Sequence, residues 1–199
     1  MTNTERIRIA AIACTIGGVL WVLNVLLGVV ANQQVHRSAA IFRAWEAVFI
    51  LLQVLLLIGV VGLAWSGATG DGRLGRIGLG IALVGRFAFV LGETHSFVRG
   101  SDDSPLMPVG ALATGIGMIL VGIAVVRARR WEGWHRMIPL LAGIYPFVAM
   151  FPILAATGNP PEVMIMFWGF LWILLGLVLY AEEAMTGAMR QSPSASAFS

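Results

Sequence analysis

Six apolar stretches, at residues 9–31, 41–65, 74–97, 107–126, 137–157 and 163–181, take up most of the 199 residues. Each is close to the ~20 residues that a helix rising ~1.5 Å per residue needs to cross ~30 Å of hydrocarbon. The chain is therefore expected to be all-α: a polytopic membrane protein with six transmembrane helices in one bundle, formed by residues 1–190. The Ser/Ala-rich residues 191–199 lack the apolar content to fold and are expected to form a disordered tail.

Composition closes off most alternatives. Only 12% of the residues are charged and 58% are apolar, whereas soluble domains average roughly 25% charged, so nothing is left for a soluble domain. All 13 basic residues are arginine. Without lysine there is no Schiff base to a carbonyl substrate and no phosphate-loop lysine. Cys14 is the only cysteine, which excludes an intramolecular disulfide and a two-cysteine redox relay; it is expected in the core. The pI near 10 reads as membrane topology, because the arginines sit at segment ends and not on one soluble face. No nucleic-acid partner is expected. Arg6 and Arg8 ahead of the first segment imitate a secretory signal, but its 23 apolar-run residues exceed the ~7–15 of a signal core, and a retained helix is expected.

Arginine placement orients the bundle. With the N-terminus inside, the inner side holds nine arginines: Arg6, Arg8, Arg73, Arg76, Arg190 and the cluster Arg127, Arg129, Arg130 and Arg136. The outer side holds three, Arg37, Arg43 and Arg99, and Arg86 lies within the third segment. Cytoplasmic loops carry the arginine excess, so both termini are expected in the cytoplasm of a plasma-membrane protein. The Arg127 to Arg136 turn, with Trp131, Trp134 and His135, reads as an anchor to anionic lipid headgroups.

The connections carry sensible turn chemistry. Asp71 and Gly72 punctuate the second, Ser101 to Pro108 the third, and Asn159 followed by Pro160 reads as the N-cap and first position of the last helix. Pro139, Pro146 and Pro152 are expected to bend the fifth segment, since each interior proline removes a backbone hydrogen bond. Small residues four apart, Gly78 with Ala82, Ala88 with Gly92, Ala111 with Gly115 and Ala113 with Gly117, predict close approach of the third and fourth helices.

A charged side chain in hydrocarbon costs about 2.5–3.5 kcal/mol or more and needs a partner or a purpose. Glu46, Arg86 and Glu93 are such residues. Arg86 and Glu93 are seven apart, on one helical face, and Glu46 and Gln53 repeat that spacing on the antiparallel neighbour. At ~1.5 Å per residue, Gln53 and Arg86 both lie roughly 16–18 Å from the outer ends, and Glu46 and Glu93 roughly 6–8 Å. Two polar rungs are expected, with a glutamate pair able to hold the guanidinium of Arg86 or Arg43. Asn24, about 10 Å from its outer end, and Tyr145 near the middle depth complete a candidate ligand-binding set of Glu46, Gln53, Arg86, Glu93, Asn24 and Tyr145, in a polar pocket opening outward. The same rungs would also serve as interhelical glue.

His36, His95 and His135 add no metal or haem site. His95 lies about 200 degrees round the helix from Glu93, and no metal or cofactor is expected.

The stretch RARRWEGWHRMIPLLAGIYPFVAMFP from Arg127, followed by FWGFLWILLGLVLY around Trp168 and Trp172, resembles small six-helix membrane proteins of GC-rich bacteria such as actinobacteria. The resemblance implies the fold and a plasma-membrane location and carries no residue roles. Three functions compete: a module binding or transporting a small polar or amphiphilic ligand; an accessory membrane subunit, docking a partner or a second copy through Phe167, Trp168, Phe170 and Trp172; and a membrane enzyme using Glu46 and Glu93 as acid and base on a lipid-soluble substrate. Asp71, Asp102 and Asp103 all lie in connections, which removes phosphatidyl-transferase chemistry, and no intramembrane Ser–His arrangement exists for rhomboid-type proteolysis.

Overall fold

The computed structural model describes residues 2–30, 39–101, 104–158 and 162–191. Six helices among them are long and apolar enough to cross a membrane. The first four are α1 (Asn3–Val30), α2 (Ala39–Trp65), α3 (Arg73–Arg99) and α4 (Leu106–Ala128). The fifth span, His135–Thr157, is built from a short 3-10 turn, α5 (Ile138–Tyr145), a π turn (Pro146–Met150) and α6 (Phe151–Thr157), and the last helix is α7 (Glu162–Gln191). No strand occurs among the described residues. The Asn159–Pro160 cap, His36, Arg37 and residues 192–199 lie outside the described residues, and Gln191 still belongs to α7.

Local chemistry sets the helix ends. Thr2 and Glu5 form a reciprocal capping box: Thr2 Oγ1 accepts the Glu5 N–H at 3.2 Å, and Glu5 Oε2 accepts the Thr2 N–H at 2.7 Å. Helix α3 stops at Gly100, whose positive φ of 72° lets its N–H turn back to the Ser96 carbonyl at 2.8 Å.

Consecutive spans pack as antiparallel neighbours, and α7 returns to pack along α1, closing the ring. Both described ends of the chain therefore lie at one end of the bundle. The α3–α4 pair is the most closely packed. A Cβ placed on Gly85 would collide with the Thr114 backbone, and one on Gly117 with the Ala82 backbone. Of the predicted small pairs, Gly78, Ala82 and Gly117 lie in this seam, whereas Gly115 faces Phe147 and Gly143 of the fifth span.

The core is Leu52, Leu56, Val60, Met118, Val121, Trp168, Trp172 and Leu175, with Cys14 fully buried against Gly59. The outside is apolar too, with Ile9, Leu27, Val84, Phe87, Val98 and Val148 all exposed, which is compatible with a bilayer environment. The predicted α7 aromatic stripe divides: Trp168 and Trp172 point inward, while Phe167 and Phe170 are exposed.

The prolines of the fifth span act differently from one another. Pro139 sits in the first turn of α5, where its missing N–H costs nothing. Pro146 opens the π turn, which closes when the Phe151 N–H reaches the Pro146 carbonyl. Such single π turns shift the side chains that follow and recur at functional sites; here the turn delivers Met150 and Phe151 to the interior cavity.

The end carrying the chain termini is tied by polar contacts. Arg130 spans to the α2–α3 connection, donating to the Gly67 carbonyl and the Asp71 carboxylate at 2.9 Å each. His135 Nδ1 meets Glu182 Oε1 at 2.6 Å, joining the fifth span to α7.

Candidate functional site

The six sequence-predicted site residues fall into three places. Gln53 and Arg86 meet: Arg86 Nη1 donates to Gln53 Oε1 at 2.7 Å, and both side chains are fully buried. Arg86 Nε and Nη2 have no hydrogen-bond partner among the described residues. The guanidinium lies instead among aromatic rings, 3.9 Å from the Trp172 ring centre, 5.1 Å from Trp168, 5.5 Å from Phe89 and 6.0 Å from Trp21. A desolvated cation–π contact contributes about 2 kcal/mol, so these rings together with Gln53 are comparable to the ~2.5–3.5 kcal/mol cost of placing an arginine in hydrocarbon. The Gln53–Arg86 rung expected from matched depth is present, and of the two guanidinia weighed for the glutamate pair, that of Arg86 is engaged by Gln53.

Glu46 and Glu93 occupy a second level, both buried, in the wall of a cavity of about 1310 Å³. It lies at the end of the bundle away from the chain termini, and every span contributes. Helix α1 supplies Trp21, Val25 and Gly28; α2 supplies Phe42, Trp45, Glu46 and Phe49; α3 supplies Phe89 and Glu93. Met107, Pro108 and Ala111 come from α4, Met150, Phe151, Leu154 and Thr157 from the fifth span, and Glu162, Ile165 and Trp168 from α7. Trp21, Phe89 and Trp168 line this cavity and also contact Arg86, so an aromatic layer lies between the carboxylates and the guanidinium.

The rings are held in place. Trp21 Nε1 donates to the Ile165 carbonyl and Trp168 Nε1 to the Ala142 carbonyl, each at 2.9 Å. Trp21 packs edge-on against Trp168 with centroids 5.5 Å apart and against Phe49 at 6.2 Å. Fixed indole N–H bonds and edge-to-face stacking preorganise the wall.

Asn24 and Tyr145 stand apart from both groups. Asn24 is 5% exposed and its Nδ2 has no hydrogen-bond partner among the described residues; on α1 it lies between Trp21 and Gly28, three and four residues from two cavity-lining positions. The Tyr145 hydroxyl donates to the Met164 carbonyl at 2.9 Å, which places it in the seam between the fifth span and α7.

Sequence reasoning missed Glu162 and the aromatic wall. A carboxylate in the first turn of a helix is ordinarily explained by the helix dipole, so Glu162 gave no separate signal. Trp21, Trp45 and Trp168 fit apolar helix faces equally well as packing residues. Among the described residues no three His, Cys, Asp or Glu side chains converge as metal ligands. No protein-family model, curated protein or solved structure matches the chain.

Proposed function

We propose that the chain is a multi-pass plasma-membrane protein that binds, and in its cellular setting moves, a small amphiphilic ligand through the cavity at the end opposite its termini. The observation that carries this reading is the cavity itself. An apolar bundle meant only to pack would close with side chains to native density, whereas here about 1310 Å³ is walled by fixed aromatic rings and by Glu46, Glu93 and Glu162. Ligand sites have this makeup: apolar and aromatic walls, a few placed polar groups, and a position between helices. Arginine bias puts the cavity on the outer side, with both termini cytoplasmic. Arg127 and Arg129, both exposed, sit in the headgroup region as contacts for anionic lipid.

The test is native mass spectrometry on the purified protein beside an Ala111→Phe variant. Ala111 lines the cavity, so a phenyl group there projects into it and narrows it. A small molecule retained by the wild type and lost from a folded Ala111→Phe variant is the expected result. Equal spectra for both proteins count against a ligand cavity and favour an accessory subunit.

A further inference from the structure

We infer that Arg86, Gln53 and Trp172 form a binding site for a small monovalent anion of halide type, midway along the bundle and behind the aromatic wall of the cavity. The site is separate from the ligand cavity, whose lining includes none of the three.

Three side chains on three helices bring together buried N–H donors without acceptors. Gln53 of α2, Arg86 of α3 and Trp172 of α7 are each 0% exposed. Four of their atoms, Arg86 Nε and Nη2, Gln53 Nε2 and Trp172 Nε1, have no hydrogen-bond partner among the described residues. They are neighbours. Arg86 Nη1 donates to Gln53 Oε1 at 2.7 Å, so the free Gln53 nitrogen belongs to the same amide that the guanidinium grips. The Trp172 ring centre lies 3.9 Å from the guanidinium carbon. Leaving one buried donor unsatisfied is costly, and four at one place call for a shared acceptor.

The donors define the acceptor. Nε and Nη2 project from one edge of the guanidinium, the two-pronged edge that grips an anion with parallel bonds, while Nη1 on the other side is taken by Gln53. The rings leave that edge free. A separation of 3.9 Å fits Trp172 stacked on the flat of the guanidinium, whereas the N–H groups point outward in its plane. Trp172 also differs from its neighbours: the Trp21 and Trp168 indoles donate to the Ile165 and Ala142 carbonyls, as buried indoles usually do. Arg86 forms no ion pair among the described residues. A neutral acceptor would satisfy the donors and leave the buried charge uncompensated, whereas a monovalent anion does both. A halide accepts N–H bonds from any direction, which suits donors arriving from three helices. Phe89 and Trp168 lie close to the same guanidinium, and such apolar surroundings favour an anion that sheds its water readily over sulfate or phosphate.

The experiment is equilibrium binding of radiolabelled chloride to the purified full chain in nanodiscs, with gluconate holding ionic strength constant and protein-free nanodiscs as the blank. The expected result is saturable binding of one chloride per chain, displaced by bromide and iodide but not by gluconate or sulfate. Gln53→Glu, nearly isosteric, keeps an acceptor on Nη1 and gives the guanidinium a fixed counter-charge, so chloride affinity should fall at least tenfold. Trp172→Phe keeps a ring and removes the indole N–H, and should weaken chloride threefold or more. Replacing Arg127 and Arg129 with glutamine should change nothing, which separates the buried site from exposed arginines. Absence of saturable binding by the wild type overturns the proposal, as does chloride held at wild-type strength by a folded Gln53→Glu or Trp172→Phe variant; if one of the two fails to fold, the other decides. Displacement by acetate stronger than by bromide overturns the halide assignment. Each of these results leaves the cavity reading, tested by Ala111→Phe, untouched.

Discussion

Arg86 donates to Gln53 at 2.7 Å, and this neutral amide, not the Glu93 carboxylate two turns along the same helix, is the guanidinium's hydrogen-bond partner. The arginine is held by one amide and four rings. Its stability consequences therefore differ from those of a buried ion pair.

Gln53→Leu removes the only hydrogen bond to the guanidinium among the described residues, a loss of about 1.5–3 kcal/mol for a bond to a charged group. Arg86→Met relieves a burial cost of about 2.5–3.5 kcal/mol but loses the ring contacts that offset it, and it strands the Gln53 amide at about 1–3 kcal/mol. Both single variants are therefore expected to be destabilising, and the double variant, which replaces both partners, to be more stable than either. Thermal unfolding in detergent checks the order. A double variant no more stable than Arg86→Met would mean that Gln53 is not what the guanidinium satisfies.

Two glycines of α3 and α4 should behave oppositely. A Cβ on Gly117 meets the Ala82 backbone, whereas one on Gly80 meets nothing within 4 Å. Gly117→Val is expected to cost about 3 kcal/mol or more, since overpacking against backbone has no flexible side chain to yield. Gly80→Ala is expected to stabilise by about 0.5–1 kcal/mol through helix propensity. Unfolding midpoints compared in the same detergent test both, and a Gly117→Val protein as stable as wild type would place the α3–α4 seam elsewhere.

Much of the bundle was readable because hydrophobic runs of bilayer length admit few alternatives, and depth alone brought Gln53 and Arg86 together. Depth says nothing about rotation of the helix beyond one face, however. Only packing shows that Trp172 and Trp168 of α7 take the space around Arg86 and leave Glu93 a level above. The π turn was equally hidden: Pro146 and Pro152 announce a bend, but the shift that turns Met150 and Phe151 inward depends on where the freed carbonyls find partners.

Orientation can be tested with reporters fused after the last helix. A C-terminal fusion is expected to be active with a cytoplasmic reporter and silent with a periplasmic one. The opposite pattern would put Glu46, Glu93 and the cavity mouth on the cytoplasmic side.

The arginines at the end that carries the chain termini should not be equivalent toward lipid. Arg130 already holds the Gly67 carbonyl and the Asp71 carboxylate, and as an exposed pair the Asp71 contact contributes less than about 1 kcal/mol. Arg127 and Arg129 are exposed, and each basic group near an anionic surface contributes about 1 kcal/mol. Replacing Arg127 and Arg129 with glutamine is expected to reduce anionic-lipid adducts in native mass spectra at least tenfold, and Arg130→Gln to reduce them less. Equal losses would show that Arg130 exchanges its internal partners for lipid.

Tyr145 offers a clean separation of scaffold from site. Its hydroxyl donates to the Met164 carbonyl at 2.9 Å and does not line the cavity, although its depth in the sequence made it a ligand candidate. Tyr145→Phe keeps the ring and removes one neutral hydrogen bond, for which about 0.5–1.5 kcal/mol is expected. The Met164 carbonyl lies in the first turn of α7 and is still positioned to accept the helical bond from residue 168, which places the cost at the low end of that range. Retention of the small molecule in native mass spectra should match the wild type, because no group facing the cavity has altered. A Tyr145→Phe protein with wild-type stability that no longer retains it would reverse this assignment: the hydroxyl would then turn from Met164 to the ligand when the cavity fills, and the seam between the fifth span and α7 would belong to the site.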